Sequence, residues 1–214
     1  MKSISAFDLD HTLVSSNSSL LFYRHLISKG FYRPISLIRT MIYSARHYFL
    51  NLSLTELHEK VFERFLKGVS LKLVQKEVEQ FLEKDFYRFL YYPTLARLRY
   101  AQHQGHYTVI LSNAPSFVVG PIAEYLGVNE WYSSKYRVDQ EGNFESVESV
   151  LLGEGKADCM DKLSKRLKTA RGKITAYSDS DLDLPFLQAA GRPVAVNPSS
   201  KLLKISKEHA WEIL

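Results

Sequence analysis

Ile4-Ser5-Ala6-Phe7-Asp8-Leu9-Asp10-His11-Thr12-Leu13 sets an apolar run directly before two carboxylates spaced i, i+2, with a hydroxyl residue following. On a β-strand this spacing puts Asp8 and Asp10 on one side, because side-chain direction repeats every two residues. Two carboxylates held close repel each other, and burial makes ionising both harder, so the pair persists most easily where a cation neutralises it. A Mg²⁺ site is one reading of the stretch. The other is plainer: Asp10 opens a turn and Asp8 is a solvated strand end.

Past Leu13, Val14-Ser15-Ser16-Asn17-Ser18-Ser19 is a polar loop rich in N-capping residues, and a short helix is expected over residues 20–29, stopped by Gly30. Residues 31–52 are aromatic and basic, with Ile35, Ile38, Met41, Ile42 and Phe49 interrupted by Arg39, Arg46 and His47. That pattern predicts a helix or helix pair whose wide apolar face packs on a neighbouring helix, with contact to a membrane surface as the lesser alternative. Ser53-Leu54-Thr55-Glu56 is a capping box, and Leu57, Val61, Phe62 and Phe65 follow at helical spacing. A further helix opens at Ser70, with Leu71, Val74, Val78, Phe81 and Leu82 on one face, and extends towards Leu90. Residues 16–91 thus read as one contiguous all-helical unit.

Pro93 marks a change to alternating helix and strand. A helix over residues 94–104 precedes the β-branched strand Tyr107-Thr108-Val109-Ile110-Leu111, which runs into Ser112-Asn113-Ala114-Pro115. A helix over residues 116–126, a hairpin within residues 131–150 turning at Gln140-Glu141-Gly142-Asn143, and a helix over residues 156–167 follow. Strand Lys173-Ile174-Thr175-Ala176-Tyr177 ends in Ser178-Asp179-Ser180-Asp181-Leu182-Asp183, before a short helix to Ala190, a strand over residues 193–196 and a basic C-terminal segment. Repeated strand–helix order predicts a parallel sheet covered on both faces.

Composition bounds the function classes. The chain of 214 residues is 45% hydrophobic and 24% charged, in the range of soluble globular proteins. Its single cysteine, Cys159, excludes an internal disulfide, and no Cys/His spacing suggests zinc, so a reducing, cytoplasmic setting is expected. No run of about 18 apolar residues predicts a transmembrane segment, and the N-terminus reaches its acidic pair too soon for a signal peptide. The net charge of +5 is spread along the chain, and no nucleic-acid partner is read from it.

In an open parallel α/β sheet, ligands bind beyond the carboxyl ends of the strands. Three predicted strands end there in polar clusters: Asp8/Asp10/Thr12, Ser112/Asn113 and Asp179/Asp181/Asp183, with Lys156 at the start of a helix reaching the same edge. Together they form a parts list for phosphoryl transfer: Mg²⁺ on oxygens of Asp8 and Asp179, and phosphoryl oxygens on Ser112 and Lys156. Each residue has a plainer alternative: Ser112 capping the next helix, Asp183 as an N-cap with Pro185 in the first turn, Lys156 as a surface lysine. Lys162 and Lys165 share its helix, and Lys156 is preferred because Gly155 precedes it at the loop-to-helix junction.

Phe7-Asp8-Leu9-Asp10-His11-Thr12-Leu13, Leu111-Ser112-Asn113, Lys156 and Ser178-Asp179-Ser180-Asp181-Leu182-Asp183 resemble, in order and spacing, the four motifs of the haloacid dehalogenase-like phosphohydrolases. The phosphoserine-phosphatase-like branch is the best match, since its helical cap is inserted after the first motif. The resemblance implies a Rossmann-like parallel sheet with helices on both faces (residues 1–15 and 92–214) and an all-helical cap inserted after the first strand (residues 16–91). It also implies a Mg²⁺-dependent phosphatase for a small phosphorylated substrate. Asp8 would be the nucleophile forming an aspartyl-phosphate, and Asp10 the general acid and then base. Asp8, Asp179 and the Asp10 backbone carbonyl would ligate Mg²⁺, and Thr12, Ser112, Asn113 and Lys156 would hold the phosphate, supported by Asp183. There are departures. Leu182 replaces a common asparagine, Ser178 and Ser180 replace glycines, and Asn17 stands where phosphoserine phosphatases carry a glutamate for the substrate's ammonium, which gives Asn17 a place in selectivity. A phosphomutase or phosphotransferase with the same intermediate, or a poorly active binding or regulatory member of the fold, is the competing reading. Dehalogenation is less favoured, since it needs neither the acidic Mg²⁺ cluster nor an acid/base at Asp10.

Overall fold

The computed structural model describes residues 2–32 and 53–214. Its sheet has seven strands: β1 (Ile4–Phe7), β2 (Tyr107–Pro115), β3 (Glu130–Val138), β4 (Phe144–Ser149), β5 (Ile174–Ser178), β6 (Arg192–Ala195) and β7 (Glu212–Ile213). Their order is β4-β3-β2-β1-β5-β6-β7, parallel throughout except for the antiparallel hairpin of β3 and β4. Strand β1 is central, with Phe7 paired to Ile110 on one side and to Tyr177 on the other. The chain winds outwards one way through β2 and β3 and the other way through β5 and β6, so the switch point, where such sheets bind ligands, falls at the end of β1.

Eight α-helices occur among the described residues: α1 (Ser18–Ser28), α2 (Leu54–Phe65), α3 (Leu71–Lys84), α4 (Tyr92–His103), α5 (Ser116–Leu126), α6 (Gly153–Arg166), α7 (Leu184–Ala189) and α8 (Ser200–Glu208). Two-residue alternation divides the core between the sheet's faces. Ile4, Ala6, Val109, Leu111, Ile174 and Ala176 pack with Met160, Leu163, Phe186 and Leu202 of α6, α7 and α8. On the opposite face Phe7 and Ile110 join Phe22, Phe62, Val78, Phe81, Phe117 and Ile122 in a cluster that runs from the sheet into α1, α2 and α3. Both faces are covered, as the strand–helix alternation predicts.

The helical insertion leaves and returns at one point. Ser15 N–H donates to Phe89 O at 2.7 Å, and Tyr91 N–H donates to Leu13 O at 2.9 Å. The capping box at Ser53 forms as expected, with Glu56 N–H donating to Ser53 Oγ at 3.2 Å and the Glu56 carboxylate accepting from Ser53 N–H at 2.9 Å. Helix α3 stops at Lys84, short of the expected Leu90, and residues Phe86–Phe89 form a 3₁₀ turn that buries Phe86 completely. The turn between α2 and α3 is tied to the hairpin: Gly68 N–H donates to Phe144 O at 2.8 Å, and Phe144 N–H donates to Val69 O at 2.9 Å. The C-terminal segment, read from sequence only as basic, forms α8 and β7. The aromatic and basic helix expected over residues 31–52, with its alternative membrane contact, lies from residue 33 onward outside the described residues. Among the described residues no helix is long and apolar enough to cross a membrane.

Candidate active site

Strand β1 ends at Phe7, and the next residue, Asp8, is 5% exposed with its N–H donated to Tyr177 O at 2.9 Å. Lys156 Nζ reaches Asp8 Oδ1 and Asp183 Oδ2, each at 2.6 Å. Burying a lysine to 2% exposure is costly unless its charge is paired, and here two carboxylates pair it. Burial acts to lower the ammonium's proton affinity, but the charges of Asp183 and Asp8 override it and keep Lys156 protonated. Asp8 is pushed well above the usual carboxylate range, first by burial, then by repulsion from Asp183 and Asp179, with Lys156 working against the rise.

Asp10 is anchored from the other side. Ser18 N–H, in the first turn of α1, donates to Asp10 Oδ1 at 2.8 Å, and Asn17 Nδ2 donates to Asp10 Oδ2 at 2.8 Å. Asn17 is also the N-cap of α1, its Oδ1 accepting from Leu20 N–H at 2.9 Å. The amide that the sequence assigns to selectivity therefore has structural duties as well: it starts a helix and holds the acid/base candidate. Burial raises the proton affinity of Asp10, and the hydrogen bonds from Ser18 oppose that rise. Between Asp10 and Thr12 the chain passes through the left-handed region at His11, φ 57°, a conformation that histidine adopts more readily than most residues.

Thr12 is fully buried and its Oγ1 has no hydrogen-bond partner among the described residues, as a donor open to a ligand oxygen would be. Ser112 lies fully buried within β2, which runs on to Pro115 rather than stopping at Leu111. The Ser112 hydroxyl accepts from Ala114 N–H at 3.1 Å, while Pro115 occupies the N-cap of α5, so Ser112 does not cap that helix. Asn113 lines a cavity that also touches α1 and α2, its carbonyl fixed by Ser134 Oγ at 2.6 Å.

The acidic run after β5 is divided by the fold. Asp179 is raised to about 6, chiefly by burial, with His11 opposing and Asp183 adding to the rise. Asp183 is the N-cap residue of α7 by position, yet its side chain makes no capping bond; it accepts from Lys156 and, at 2.7 Å, from Ser178 Oγ. Ser178, one of the serines in place of glycine, thus fixes the lysine's partner. Asp181 turns away to Ser199 Oγ at 2.9 Å and Lys201 Nζ at 3.0 Å. Leu182 is 57% exposed, so its side chain projects away from this cluster.

Helix α6 starts at Gly153, three residues before the position expected, and Lys156 lies within its first turn rather than at the loop junction. Gly153 is the residue that makes this possible: a Cβ there would lie 2.1 Å from Leu182 O. Only glycine lets α6 approach the Asp183 loop so closely. Lys165 pairs with Asp161 on the exposed side of α6 and Lys162 is also exposed, so of the three lysines Lys156 is the one that meets Asp8 and Asp183. Sequence reasoning missed Gly153, Ser178 as a partner of Asp183, and the Ser18 N–H. None has a signal in the sequence, because each acts through a contact made by distant chain.

Asp8, Asp10, Asp179 and Asp183 thus share one ammonium, so carboxyl groups outnumber cations in the cluster and burial raises Asp8, Asp10 and Asp179. Among the described residues no group of three or more His, Cys, Asp or Glu side chains is gathered to hold a metal by itself. Two carboxylates, Asp8 and Asp179, with the Asp10 carbonyl make a hard-oxygen set that fits a cation retaining several waters, as Mg²⁺ does.

Comparison with known proteins identifies the family. The sequence profile of the haloacid dehalogenase-like hydrolases matches residues 6–188. A histidinol-phosphatase of Neisseria meningitidis is 28% identical, with 100% of this chain and 99% of that protein aligned. A Bordetella pertussis protein of unknown function has a similar structure, with a TM-score of 0.87, 24% identity, and 100% and 99% of the two chains covered. A substrate-bound phosphoserine phosphatase superposes with a TM-score of 0.74 at 18% identity, covering 100% of this chain and 93% of the other.

Proposed function

The chain belongs to the haloacid dehalogenase-like hydrolases, and from that premise we propose that it is a Mg²⁺-dependent phosphatase cleaving a small phosphomonoester through a phosphorylated Asp8. The observation that carries the reading is the buried arrangement at the end of β1: Asp8 paired at 2.6 Å with Lys156, beside an Asp10 whose two oxygens are both held by the start of α1. Two neighbouring carboxyls in unlike surroundings are what separate nucleophile and acid/base roles require.

Lys156 engages Asp8 Oδ1, and the second oxygen is assigned to in-line attack. An O–P bond forms to Asp8 as the ester O–P bond breaks, and Asp10 gives its proton to the departing alcohol oxygen. Water then attacks the phosphorus of the aspartyl-phosphate, its proton passes to Asp10, and the bond to Asp8 breaks, which restores both side chains. The Thr12 hydroxyl, the Ser112 hydroxyl and Lys156 are assigned to the phosphoryl oxygens, where donors aimed at developing charge contribute most. Mg²⁺, held by Asp8, Asp179 and the Asp10 carbonyl, would supply charge neutralisation and orientation of the phosphate. Helices α1, α2 and α3 are assigned the role of cap over this edge.

The test is release of inorganic phosphate from p-nitrophenyl phosphate, histidinol phosphate and phosphoserine, with and without chelator. Removal of Mg²⁺ and the Asp8→Asn substitution each abolish turnover, and Asp10→Asn lowers it by about 10²–10⁴-fold. Activity that survives chelation or Asp8→Asn would sink the mechanism.

A further inference from the structure

Beside the carboxylates, on the side of α1 and α2, lies a cavity of about 400 Å³, a size typical of small-molecule sites. His11, Asn17 and Asn113 belong both to its lining and to the chain segments that carry the acidic site. The rest of its wall is largely apolar, with aromatic and aliphatic side chains together. Tyr23, Tyr32 and Phe65 form a packed group with ring centroids 5.4 Å, 4.8 Å and 5.5 Å apart, and Phe62 and Phe117 extend the surface. Its wall also carries polar groups. His58 Nδ1 and the Tyr136 hydroxyl lie 2.7 Å apart, and burial holds the His58 imidazole down to about 4. Among the described lining residues none is Asp, Glu, Lys or Arg.

Among the described residues, one buried polar atom of this wall lacks a partner. Tyr23 is only 9% exposed, and its hydroxyl makes no hydrogen bond among the described residues. Buried hydroxyls are nearly always satisfied, so a ligand atom is the natural partner here. Flat rings suit such a wall, because aromatic pairs gain from offset and edge-to-face contact beyond simple burial. The ammonium of a phosphorylated amino acid would lose water there without meeting a carboxylate among the described lining residues, which is unfavourable.

We propose that this cavity receives the leaving group, and that the substrate is a phosphate monoester whose alcohol carries an aromatic or heteroaromatic ring, with a ring heteroatom bonded to the Tyr23 hydroxyl. The inference rests on the phosphomonoesterase reading for its placement of the phosphate, but ring binding is measurable without turnover. Dissociation constants of 2-phenylethyl phosphate, 2-(imidazol-4-yl)ethyl phosphate, ethyl phosphate and phosphoserine are measured by calorimetry on the Asp8→Asn protein and on wild type in chelator. In parallel, kcat/KM is measured on wild type with Mg²⁺. Ring esters bind about 10- to 100-fold tighter than ethyl phosphate, from burial of the ring. Tyr23→Phe weakens the imidazolyl ester about fivefold or more relative to the phenyl ester, through loss of one hydrogen bond. Phe65→Ala narrows the preference for both rings over ethyl phosphate. Equal affinity for ethyl and ring esters, or tighter binding of phosphoserine than of either ring ester, overturns the proposal. Preferential ring binding with no hydrolysis of any ester supports the ring site and overturns the phosphatase reading instead.

Discussion

Asn17 links the acid/base candidate to the first helix of the insertion, since the same amide caps α1 and donates to Asp10. A hydrogen bond to a carboxylate favours its charged form, so Asn17→Ala raises the proton affinity of Asp10. The pH–rate profile of ester hydrolysis then moves towards higher pH, and kcat/KM falls about tenfold, the scale of one charge-assisted hydrogen bond. A profile unmoved in pH would show that Asn17 acts only as a cap. Lys156 allows a second prediction. Lys156→Met leaves Asp8 and Asp183 buried without their cation, which costs about 3–5 kcal/mol at neutral pH. Asp8, already held above the usual carboxylate range and now without the opposing ammonium, takes up a proton in the folded state above its unfolded affinity, so this deficit shrinks as pH falls. Urea midpoints for variant and wild type at pH 7 and pH 5 check both size and sign.

His58 gives the opposite slope. Its folded value of about 4 lies below the 6.5 of a free imidazole, so between these values the unfolded chain binds more protons and stability is lost as pH falls. At pH 5 this amounts to about 1–2 kcal/mol, reduced by the ring's partial solvent contact. The difference in unfolding free energy between wild type and His58→Asn therefore changes by that amount from pH 7 to pH 5.

At the scale of elements, the site depends on how closely α6 approaches the loop after β5. Gly153→Ala puts a methyl group 2.1 Å from Leu182 O, where backbone, not a yielding side chain, blocks it. Helix α6 must shift, carrying Lys156 away from Asp8 and Asp183. The expected result is a loss of about 2–3 kcal/mol in stability together with a fall of about tenfold or more in kcat. Leu182→Asn, on the same loop but solvent-facing, changes stability by no more than about 0.5 kcal/mol, so the pair separates backbone contact from side-chain identity. Chemical denaturation and steady-state kinetics of both variants make the comparison. Strand β1 was readable because an apolar run ending in two carboxylates has few other uses. The start of α6 was not, since Leu152 caps it without a side-chain bond and Gly153, read locally, looks like a helix breaker.

Across the whole molecule, helices α1–α3 and the sheet share one apolar cluster rather than two separate ones. Phe86 sits at the join, its ring 5.8 Å from Phe81 of α3 and 5.4 Å from Tyr125 of α5. Phe86→Ala leaves a cavity common to both parts and costs about 3–5 kcal/mol. Insertion and core melt together in the wild type, so circular dichroism and tryptophan fluorescence give coincident transitions.

What the sequence by itself determined is the order of parts. Period-two and helical patterns gave the parallel sheet, the inserted helices and the three strand ends carrying Asp8/Asp10, Ser112 and Asp179, because secondary-structure periodicity is local and the binding edge follows from topology. Tertiary structure decided which of those residues meet. It turned Asp183 onto Lys156 and Asp181 away from it, gave Asn17 a hold on Asp10, left Thr12 and Tyr23 with unpaired hydroxyls, and assembled an aromatic cavity from α1, α2 and the hairpin. Those outcomes hang on contacts between residues tens of positions apart, whose distances are fixed by packing and close backbone approach, and local sequence carries no record of either.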